Sequence, residues 1–502
     1  MKRSMILFLI IITSIVMLFQ CADEVPEKIE QTILAKVGDK VITEDEFIRR
    51  AEYTMRPPYC RGDNYIHRKI VLNSLIAEKL FALESGAPQE LLTNEQYQDY
   101  IQGRKEQTML QLFYHDQAYD KVKLDTSEYK KMYKLAGREY EISYFSVTDE
   151  NRANLFMNEL NKEDITLESI FEYYFNDPNV PKQKVSWQSK SDDPIQRALF
   201  KDVLNKGDII GPLYIRDGDY YLIIRIDGWV DRPAITDTQI RTRSKDVREK
   251  LTDQQAIAIY KEVVAEIMRG KKLEFSNASF NRVAEYLAPF YLKSEEEKQE
   301  EFNKRFWEKE KAPDTTSAQI EDILEDPMLR IDGETWTVKR FFKEMAIHPL
   351  VFRKRNISNS EFPAQLRLAI ADMVQDKYVV QEAYKKGMDE SIIVKQNVSM
   401  WDDNLRSLYH KNHYLKSNEA EGIEYTDAIE TYLDPYVDSL QTKYNDQIFI
   451  NTDAFENIKL TNIDMFVIQK NVPFPIIVPG FPLLTTDNAL DYGSILEVDK
   501  KK

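Results

Sequence analysis

Histidine and cysteine are scarce in this sequence, which has five histidines and two cysteines among 502 residues. Most acid–base, nucleophilic and metal chemistry in proteins draws on these two residue types. The scarcity therefore argues against an enzyme built on clustered imidazoles or thiolates. His410 and His413 could share one helix face near Asp402 and Asp403, but no third fixed ligand accompanies them. We interpret them as a helix surface and expect no metal site.

Glycine-rich motifs for nucleotides are also missing. The sequence contains no Gly-x-x-x-x-Gly-Lys and no Gly-x-Gly-x-x-Gly run, so we expect no nucleotide cofactor and, more generally, no cofactor. Acidic residues outnumber basic ones: the chain has 84 Asp and Glu and 68 Lys and Arg, which gives a net charge of −16. Nucleic-acid binding requires positive charge that displaces counterions from phosphates. We therefore expect no nucleic-acid partner.

The first residues have the pattern of an export signal. Lys2 and Arg3 precede an apolar stretch from Met5 to Phe19, which is shorter than the about 20 apolar residues of a membrane-spanning helix. A charged start followed by a short apolar region is typical of a secretory signal peptide. An uncleaved anchor and simple secretion are the alternatives that this segment leaves open.

Cys21 stands where a bacterial lipoprotein signal is cleaved. In that resemblance residues 1–20 are the signal peptide, Cys21 receives the lipid, and residues 21–30 form a tether. We therefore expect a protein of the cell envelope, anchored in a membrane through its lipid and facing the periplasm. Position 22 is Ala rather than Asp, which favours the outer over the inner membrane. The remaining thiol, Cys60, is then alone, and we interpret it as inert.

Periodicity predicts the first folded elements. Alternating apolar residues from Ile33 to Gly38 predict a strand, and Gly38-Asp39 predicts a tight hairpin turn. Thr43 with Glu46 predicts a capping box at the start of an amphipathic helix. Helical spacing then predicts a longer helix from His67 to Ser85 that stops at Gly86.

A small α+β domain is predicted in the middle of the chain. Alternation begins at Tyr140, a helix is predicted over residues 151–160, and an apolar strand runs from Tyr220 to Ile226. Thr236 with Gln239 then predicts the cap of a long helix that extends to Arg269.

The hairpin and helix of the first folded segment recur later in the chain. Val37 to Thr43 followed by Phe47 is echoed by Ile331 to Thr337 followed by Phe341. We interpret this as an internal duplication. The tail holds Pro473, Pro475, Pro479 and Pro482 among apolar residues, which excludes a helix and predicts an extended arm that packs on this chain or on a partner.

In this order, the motifs resemble the exported parvulin-type peptidyl-prolyl isomerases and chaperones, the SurA-like and PrsA-like family. The resemblance lies in Ala35–Thr43, Arg68–Leu80, Leu204–Pro212 and Gly218–Ile226, and it covers roughly residues 31–290. It implies an α+β, mostly helical fold: a SurA-like helical chaperone body with an inserted parvulin-like domain and a second copy of the hairpin-helix unit.

The resemblance and the pattern together predict seven segments. They are residues 1–20 (signal peptide), 21–30 (tether), 31–137 (N-terminal helical chaperone unit), 138–231 (parvulin-like domain), 232–326 (long helices and acidic linker), 327–415 (second chaperone-like repeat) and 416–502 (C-terminal helix and proline-rich arm).

The family builds its catalytic pocket on two histidines, and this sequence lacks both. The resemblance places them at Tyr144 and Leu222, and no histidine lies between His115 and His348. We therefore name no catalytic residue. The side chains that could instead line a groove for extended peptide are Tyr144, Asp177, Trp187, Phe200, Tyr221 and Leu222.

These observations predict an envelope folding factor that binds non-native exported or outer-membrane polypeptides and lacks efficient isomerase catalysis. One alternative is an active prolyl isomerase with a rearranged pocket. Another is a non-catalytic structural subunit of an envelope complex, docked to its partner through the proline-rich arm. For any one of the groove candidates, an ordinary place in the core or on a strand face is the competing interpretation.

Overall fold

A computed structural model describes residues 32–162, 164–189, 193–215, 218–293, 320–354, 357–460 and 474–496. The protein is α+β and 57% helical, with several small sheets. The predictions for the signal peptide and for Cys21 and its tether lie outside the described residues, as do residues 294–319 of the segment predicted to hold the acidic linker. In the described residues, no helix combines the length and apolarity that crossing a membrane requires.

The strands are β1 (Ile33–Val37), β2 (Lys40–Thr43), β3 (Arg138–Val147), β4 (Lys182–Ser186), β5 (Ile209–Ile215), β6 (Tyr220–Asp231), β7 (Leu273–Phe275), β8 (Pro327–Ile331), β9 (Glu334–Thr337), β10 (Ile448–Ile450) and β11 (Ser494–Ile495). The helices are α1 (Glu44–Glu52), α2 (Tyr65–Glu84), α3 (Gln89–Leu92), α4 (Glu95–Gln117), α5 (Thr126–Leu135), α6 (Glu150–Leu160), α7 (Leu167–Phe175), α8 (Asp193–Phe200), α9 (Asp237–Ile267), α10 (Asn277–Tyr291), α11 (Val338–Ile347), α12 (Phe362–Lys385), α13 (Ile392–Ser417), α14 (Tyr425–Ala428), α15 (Asp434–Lys443) and α16 (Thr452–Asn457).

The chain forms two compact units, and the first is built from both ends of the sequence. Among the described residues, the first unit combines 32–88, 400–460 and 477–496, and the second combines those within 89–399 with 474–476. This division differs from the predicted segments, which kept residues 31–137 together and set 416–502 apart. Strand pairing explains the difference, because β10 from the C-terminal part hydrogen-bonds to β1. Pairing between such distant segments leaves no local signal in the sequence.

The first unit contains a sheet with the strand order β11-β10-β1-β2. The predicted hairpin is confirmed: Val37 pairs with Lys40, and Gly38 in the turn has φ 62°, which suits glycine. Thr43 caps α1 by accepting a hydrogen bond from the Glu46 backbone. The Glu46 carboxylate accepts a hydrogen bond from Lys79 at 2.9 Å. The capping prediction is therefore confirmed for Thr43, while the side chain of Glu46 serves a tertiary contact.

The proline-rich arm packs within its own chain where the structure describes it. In the first unit, Phe481 and Leu484 are buried in the same apolar core as β1 and α2. The Arg50 guanidinium donates a hydrogen bond to the Gly480 carbonyl at 2.8 Å. Asn73 donates to the Asp487 carbonyl at 2.9 Å. The predicted extended arm is thus found, and its buried side chains complete a core of this chain.

In the second unit, a four-stranded antiparallel sheet has the order β4-β3-β6-β5. One face packs against α5, α8 and α9 around Tyr140, Ile224 and Phe200, and we call this the inner cluster. The other face packs against α6 and α7 around Phe145 and Ile223, and we call this the outer cluster. The predicted strand at Tyr140, the predicted helix over 151–160 and the predicted strand Tyr220–Ile226 are therefore found as β3, α6 and β6, and β4 and β5 are strands that the pattern did not single out.

The second hairpin also lies in this unit. Strands β8 and β9 pair next to β7, and Thr337 caps α11 by accepting from the Arg340 backbone. Phe341 is fully buried, as is Phe47 at the corresponding place of the first copy. Gly387, after α12, has φ 69°, close to the 60° of Gly86. The two copies therefore share local structure from the hairpin to the glycine that ends the long helix.

Candidate functional site

Four of the six residues predicted to line a groove lie together in the inner cluster. Trp187, Phe200 and Leu222 are buried there, and Tyr144 packs against them while remaining partly exposed. The rings of Trp187 and Phe200 meet edge to face with centroids 5.4 Å apart. These side chains fill the space between the sheet and its helices. Their position matches the competing interpretation of core residues.

The other two predicted residues lie elsewhere. Tyr221 faces the outer cluster, and its ring lies 5.1 Å from that of Tyr214. Asp177 is exposed and accepts a hydrogen bond from the Asn179 backbone at 2.8 Å, as in an Asx-turn. The six residues therefore do not line one groove. Alternation along a strand separates neighbours such as Tyr221 and Leu222 onto opposite faces.

Cys60 and His410, both noted in the sequence, are packed within the first unit. Cys60 is buried, and burial raises its pKa to about 12, so it stays protonated at neutral pH. His410 shares a 2.8 Å hydrogen bond with the Tyr436 hydroxyl. Asp403 forms ion pairs with Lys40 and Lys79. Within the described ranges, no group of three or more His, Cys, Asp or Glu could hold a metal ion.

An exposed aromatic patch lies at the end of α7. Tyr173, Tyr174 and Phe175 are consecutive and have 80%, 43% and 42% of their surface exposed. Phe175 stacks on Phe171 with centroids 4.8 Å apart, and Phe171 belongs to the outer cluster. We call Tyr173, Tyr174 and Phe175 the aromatic patch. It is a continuation of the outer cluster into solvent.

Local sequence places the patch. Thr166 and Ser169 form a capping box that starts α7, and Asn176 ends it in the left-handed conformation with φ 54°. Between these ends, Ile170 and Phe171 face the sheet. Three aromatic residues in a row cannot all face one side of a helix, because successive residues are about 100° apart. Tyr173 therefore points away from the core.

A cleft of about 600 Å³ opens over the outer face of the same sheet. It lies beyond the part that α6 and α7 cover. Its lining comes from β3, β4, β6 and the turn before β5, namely Glu141, Ile142, Lys182, Gln183, Lys184, Lys206, Gly207, Arg225, Ile226 and Asp227. The volume lies in the range that is usual for ligand sites, about 300–1,000 Å³.

A hydrogen-bonded network holds Arg225 and Asp227, two residues of the cleft lining, in place. The Arg225 guanidinium donates to Asp227 at 2.9 Å and to Glu168 of α7 at 2.7 Å. Ser143 donates to Asp227 at 2.5 Å. The bond from Arg225 holds the pKa of Glu168 below its usual value, and the same contacts raise the pKa of Arg225. These hydrogen bonds connect β3, β6 and α7 beside the cleft.

The rim of the cleft is positive. Its lining contains four basic side chains and two acidic ones. Lys184 is paired with Glu141 at 3.1 Å, whereas Lys182 and Lys206 form no ion pair with any residue that the structure describes. Both are exposed. In a chain with a net charge of −16, this is a local excess of positive charge.

Sequence reasoning missed both features. The run Lys-Gln-Lys-Val-Ser over β4 has only one apolar residue and gives no alternating strand signal, although two-residue periodicity along a strand places Lys182 and Lys184 on one face. The run Tyr-Tyr-Phe was visible as well, and helical spacing alone predicts that one of its rings is exposed. The sequence could not show that Arg225 and Lys206 line the same cleft as the β4 residues, because these segments are brought together only by the fold of the sheet.

Comparisons with known proteins leave the family open. No family model matches the chain, and neither the curated proteins nor the solved structures include a significant match. The geometry of the aromatic patch and the cleft therefore carries the functional argument.

Proposed function

We propose that the protein is a folding factor of the cell envelope that binds non-native exported or outer-membrane polypeptides. In this proposal the domain over residues 138–231 is parvulin-like and binds client chains without efficient isomerase catalysis. The helical remainder, with its two hairpin-helix units, serves as a SurA-like chaperone body.

The aromatic patch is the observation that carries the proposal. Large exposed apolar groups on an otherwise soluble protein mark interaction surfaces, and Tyr is among the side chains that contribute most at protein interfaces. Tyr173 exposes 80% of its surface, although burial of an aromatic side chain would be favourable. A non-native polypeptide offers the complementary apolar segments.

The fold supports the parvulin-like assignment of this domain. The elements run β3-α6-α7-β4-α8-β5-β6 and form an antiparallel sheet with the order β4-β3-β6-β5, and this α+β organisation supports the parvulin-like fold that we propose from the sequence motifs. Two positions support the absence of efficient catalysis. Leu222 is apolar and buried, and Tyr144 packs beside it in the inner cluster, so neither place holds the imidazole that the family uses.

Attachment to the envelope rests on the sequence. The signal-like segment 1–20 and Cys21 support a lipid-anchored protein that faces the periplasm, and Ala22 favours the outer membrane. An anchored folding factor would meet its clients as they leave the export machinery.

The proposal is tested by suppression of aggregation. A urea-denatured outer-membrane protein is diluted into buffer with the purified chain, and light scattering is followed. Tyr173→Ser should raise the protein concentration needed for half-suppression by about fivefold or more, since truncated interface anchors cost more than about 1 kcal/mol.

Ile235→Ser is the matched control. Ile235 is also 80% exposed, but it lies in the segment between β6 and α9, outside the aromatic patch, so its loss should leave suppression unchanged. Absence of any suppression by the unaltered protein would contradict the proposal and favour a structural subunit. If Tyr173→Ser and Ile235→Ser had equal effects, the aromatic patch would not be the surface that binds clients.

A further inference from the structure

We propose that the cleft beside β4 is a binding site for acidic segments of extended polypeptides. The inference rests on the proposed function in that the natural ligands would be client chains. It adds a preference for negatively charged ligand segments, which the apolar aromatic patch cannot provide.

Strand position is the first argument. In the part of the chain that the structure describes, β4 lies at one end of its sheet and pairs only with β3. The end strand of a sheet presents backbone N–H and C=O groups that an extended peptide can pair with. A segment that added itself beside β4 would lie along the rim of the cleft.

Side-chain direction is the second argument. Lys182 pairs with Ser143 and Lys184 with Glu141 in the β3–β4 ladder, and paired residues project to the same face of a sheet. Both lysines therefore project to the face of the sheet that carries Glu141 and Arg225, and all four of these residues line the cleft. Same-face residues of a strand are about 7 Å apart, so carboxylates two residues apart in an extended ligand match this spacing.

Charge is the third argument. The charge of Arg225 is neutralised by Asp227 and Glu168. Arg225 therefore contributes little to the attraction of a negatively charged ligand. The bond of Lys184 to Glu141 is exposed, with 65% and 49% of the side chains accessible, and such pairs exchange partners at low cost. Lys182 and Lys206 bring positive charge from opposite sides of the cleft. An extended ligand with several carboxylates that crossed the cleft would reach all three lysines, whereas a segment paired only along β4 would reach Lys182 and Lys184.

Lysines on an exposed strand also have a protective role, because they discourage strand edges from pairing with other copies. A positive surface can equally bind anionic lipid headgroups. We favour polypeptide because the lysines flank a concave cleft and a free strand edge, and both fit an extended chain. The two other roles are outcomes of the experiment below.

The test uses fluorescence anisotropy with the full chain and two labelled peptides. One peptide alternates aspartate with valine, and the other carries asparagine in place of aspartate. The aspartate peptide should bind between about 3- and 30-fold more tightly, as expected for a few exposed ion pairs. This preference should shrink as the salt concentration rises, because salt screens exposed charges.

Substitution locates the site. Lys182→Gln with Lys206→Gln should abolish the preference, and Lys182→Arg with Lys206→Arg should retain it. Lys201→Gln is the matched control, because Lys201 is an exposed lysine of the same domain outside the cleft lining. Circular dichroism of each variant checks that the fold is unchanged. If the double glutamine variant is unstable, the double arginine variant still tests whether positive charge at these two positions is enough for the preference.

Three results would overturn the inference. The first is equal binding of the two peptides, or a preference that survives the glutamine pair. The second is loss of binding to phosphatidylglycerol vesicles in that variant with the peptide preference intact, which would assign the cleft to headgroups. The third is self-association of the variant in sedimentation as the sole effect, which would assign the lysines to edge protection. If aggregation suppression persists while the peptide preference is absent, this inference fails and the proposed function stands.

Discussion

Arg50→Met should destabilise the first unit strongly, whereas Arg49→Met, one residue earlier in α1, should have little effect. The Arg50 and Glu78 side chains are both fully buried and meet through two hydrogen bonds of 2.8 Å. Glu78 accepts a further hydrogen bond from Asn404 at 2.7 Å. Arg49 instead pairs with Asp45 at 3.0 Å, with 27% and 54% of the side chains exposed.

The magnitudes follow from this difference in burial. Removing one member of a buried ion pair leaves the other charge without compensation and costs about 3–5 kcal/mol of unfolding free energy. An exposed pair contributes about 1 kcal/mol or less. The double variant Arg50→Met with Glu78→Leu should regain most of the unfolding free energy that Arg50→Met loses, because apolar side chains of similar volume replace buried ion pairs well. That result would show that the uncompensated Glu78 carboxylate causes the destabilisation.

Hydrogen exchange of the α2 backbone amides is the appropriate assay, because it reports on the first unit separately from the rest of the chain. A loss of 3–5 kcal/mol corresponds to exchange that is about 100- to 4,000-fold faster. Amides of α9, in the second unit, serve as the internal reference. Equal effects of Arg50→Met and Arg49→Met would refute the reasoning, as would a double variant no more stable than the single one.

Three further predictions concern pH, catalysis and anchoring. Burial raises the pKa of Asp376 to about 7, against the opposing effect of His348. Because this lies above the usual value of about 4, its stabilising contribution is complete below about pH 4 and is lost as the pH rises through about 7; Asp376→Asn should therefore flatten the decline of melting temperature over that range. In a protease-coupled assay of proline isomerisation the purified chain should not exceed the uncatalysed rate, since Leu222 offers no proton chemistry, and catalysis well above background would contradict this. Mass spectrometry of the mature protein should find a diacylglycerol on Cys21, and Cys21→Ser should release the protein from the membrane fraction; an unmodified amino terminus would exclude the lipid anchor.

Local patterns predicted much of the secondary structure. The hairpin at Gly38, the cap at Thr43 and the capping box of Thr236 with Gln239 were all found. Each depends on neighbours within a few residues, so the sequence contains the whole signal. The pairing of β1 with β10 joins Lys36 to Phe449, and it could not be predicted because the pattern of either strand is satisfied by many partners. This pairing is what changed the division into units.

The candidate site shows the same limit. Apolar residues chosen from a resemblance, such as Trp187 and Phe200, proved to be buried core, because hydrophobicity predicts burial better than it predicts a groove. The lysines of the cleft were passed over, since a charged strand is usually a solvated surface. Only the fold shows that Lys182 and Lys206 stand across one cavity.

Site-specific crosslinking tests the central claim most directly. A photoreactive amino acid is placed at position 173 or, as the control, at position 235, and the full chain is irradiated with a denatured client. The account predicts client adducts from position 173 and few from position 235, although both native side chains are 80% exposed. Equal adducts from both positions, or none from position 173, would contradict the claim that the aromatic patch binds non-native polypeptides.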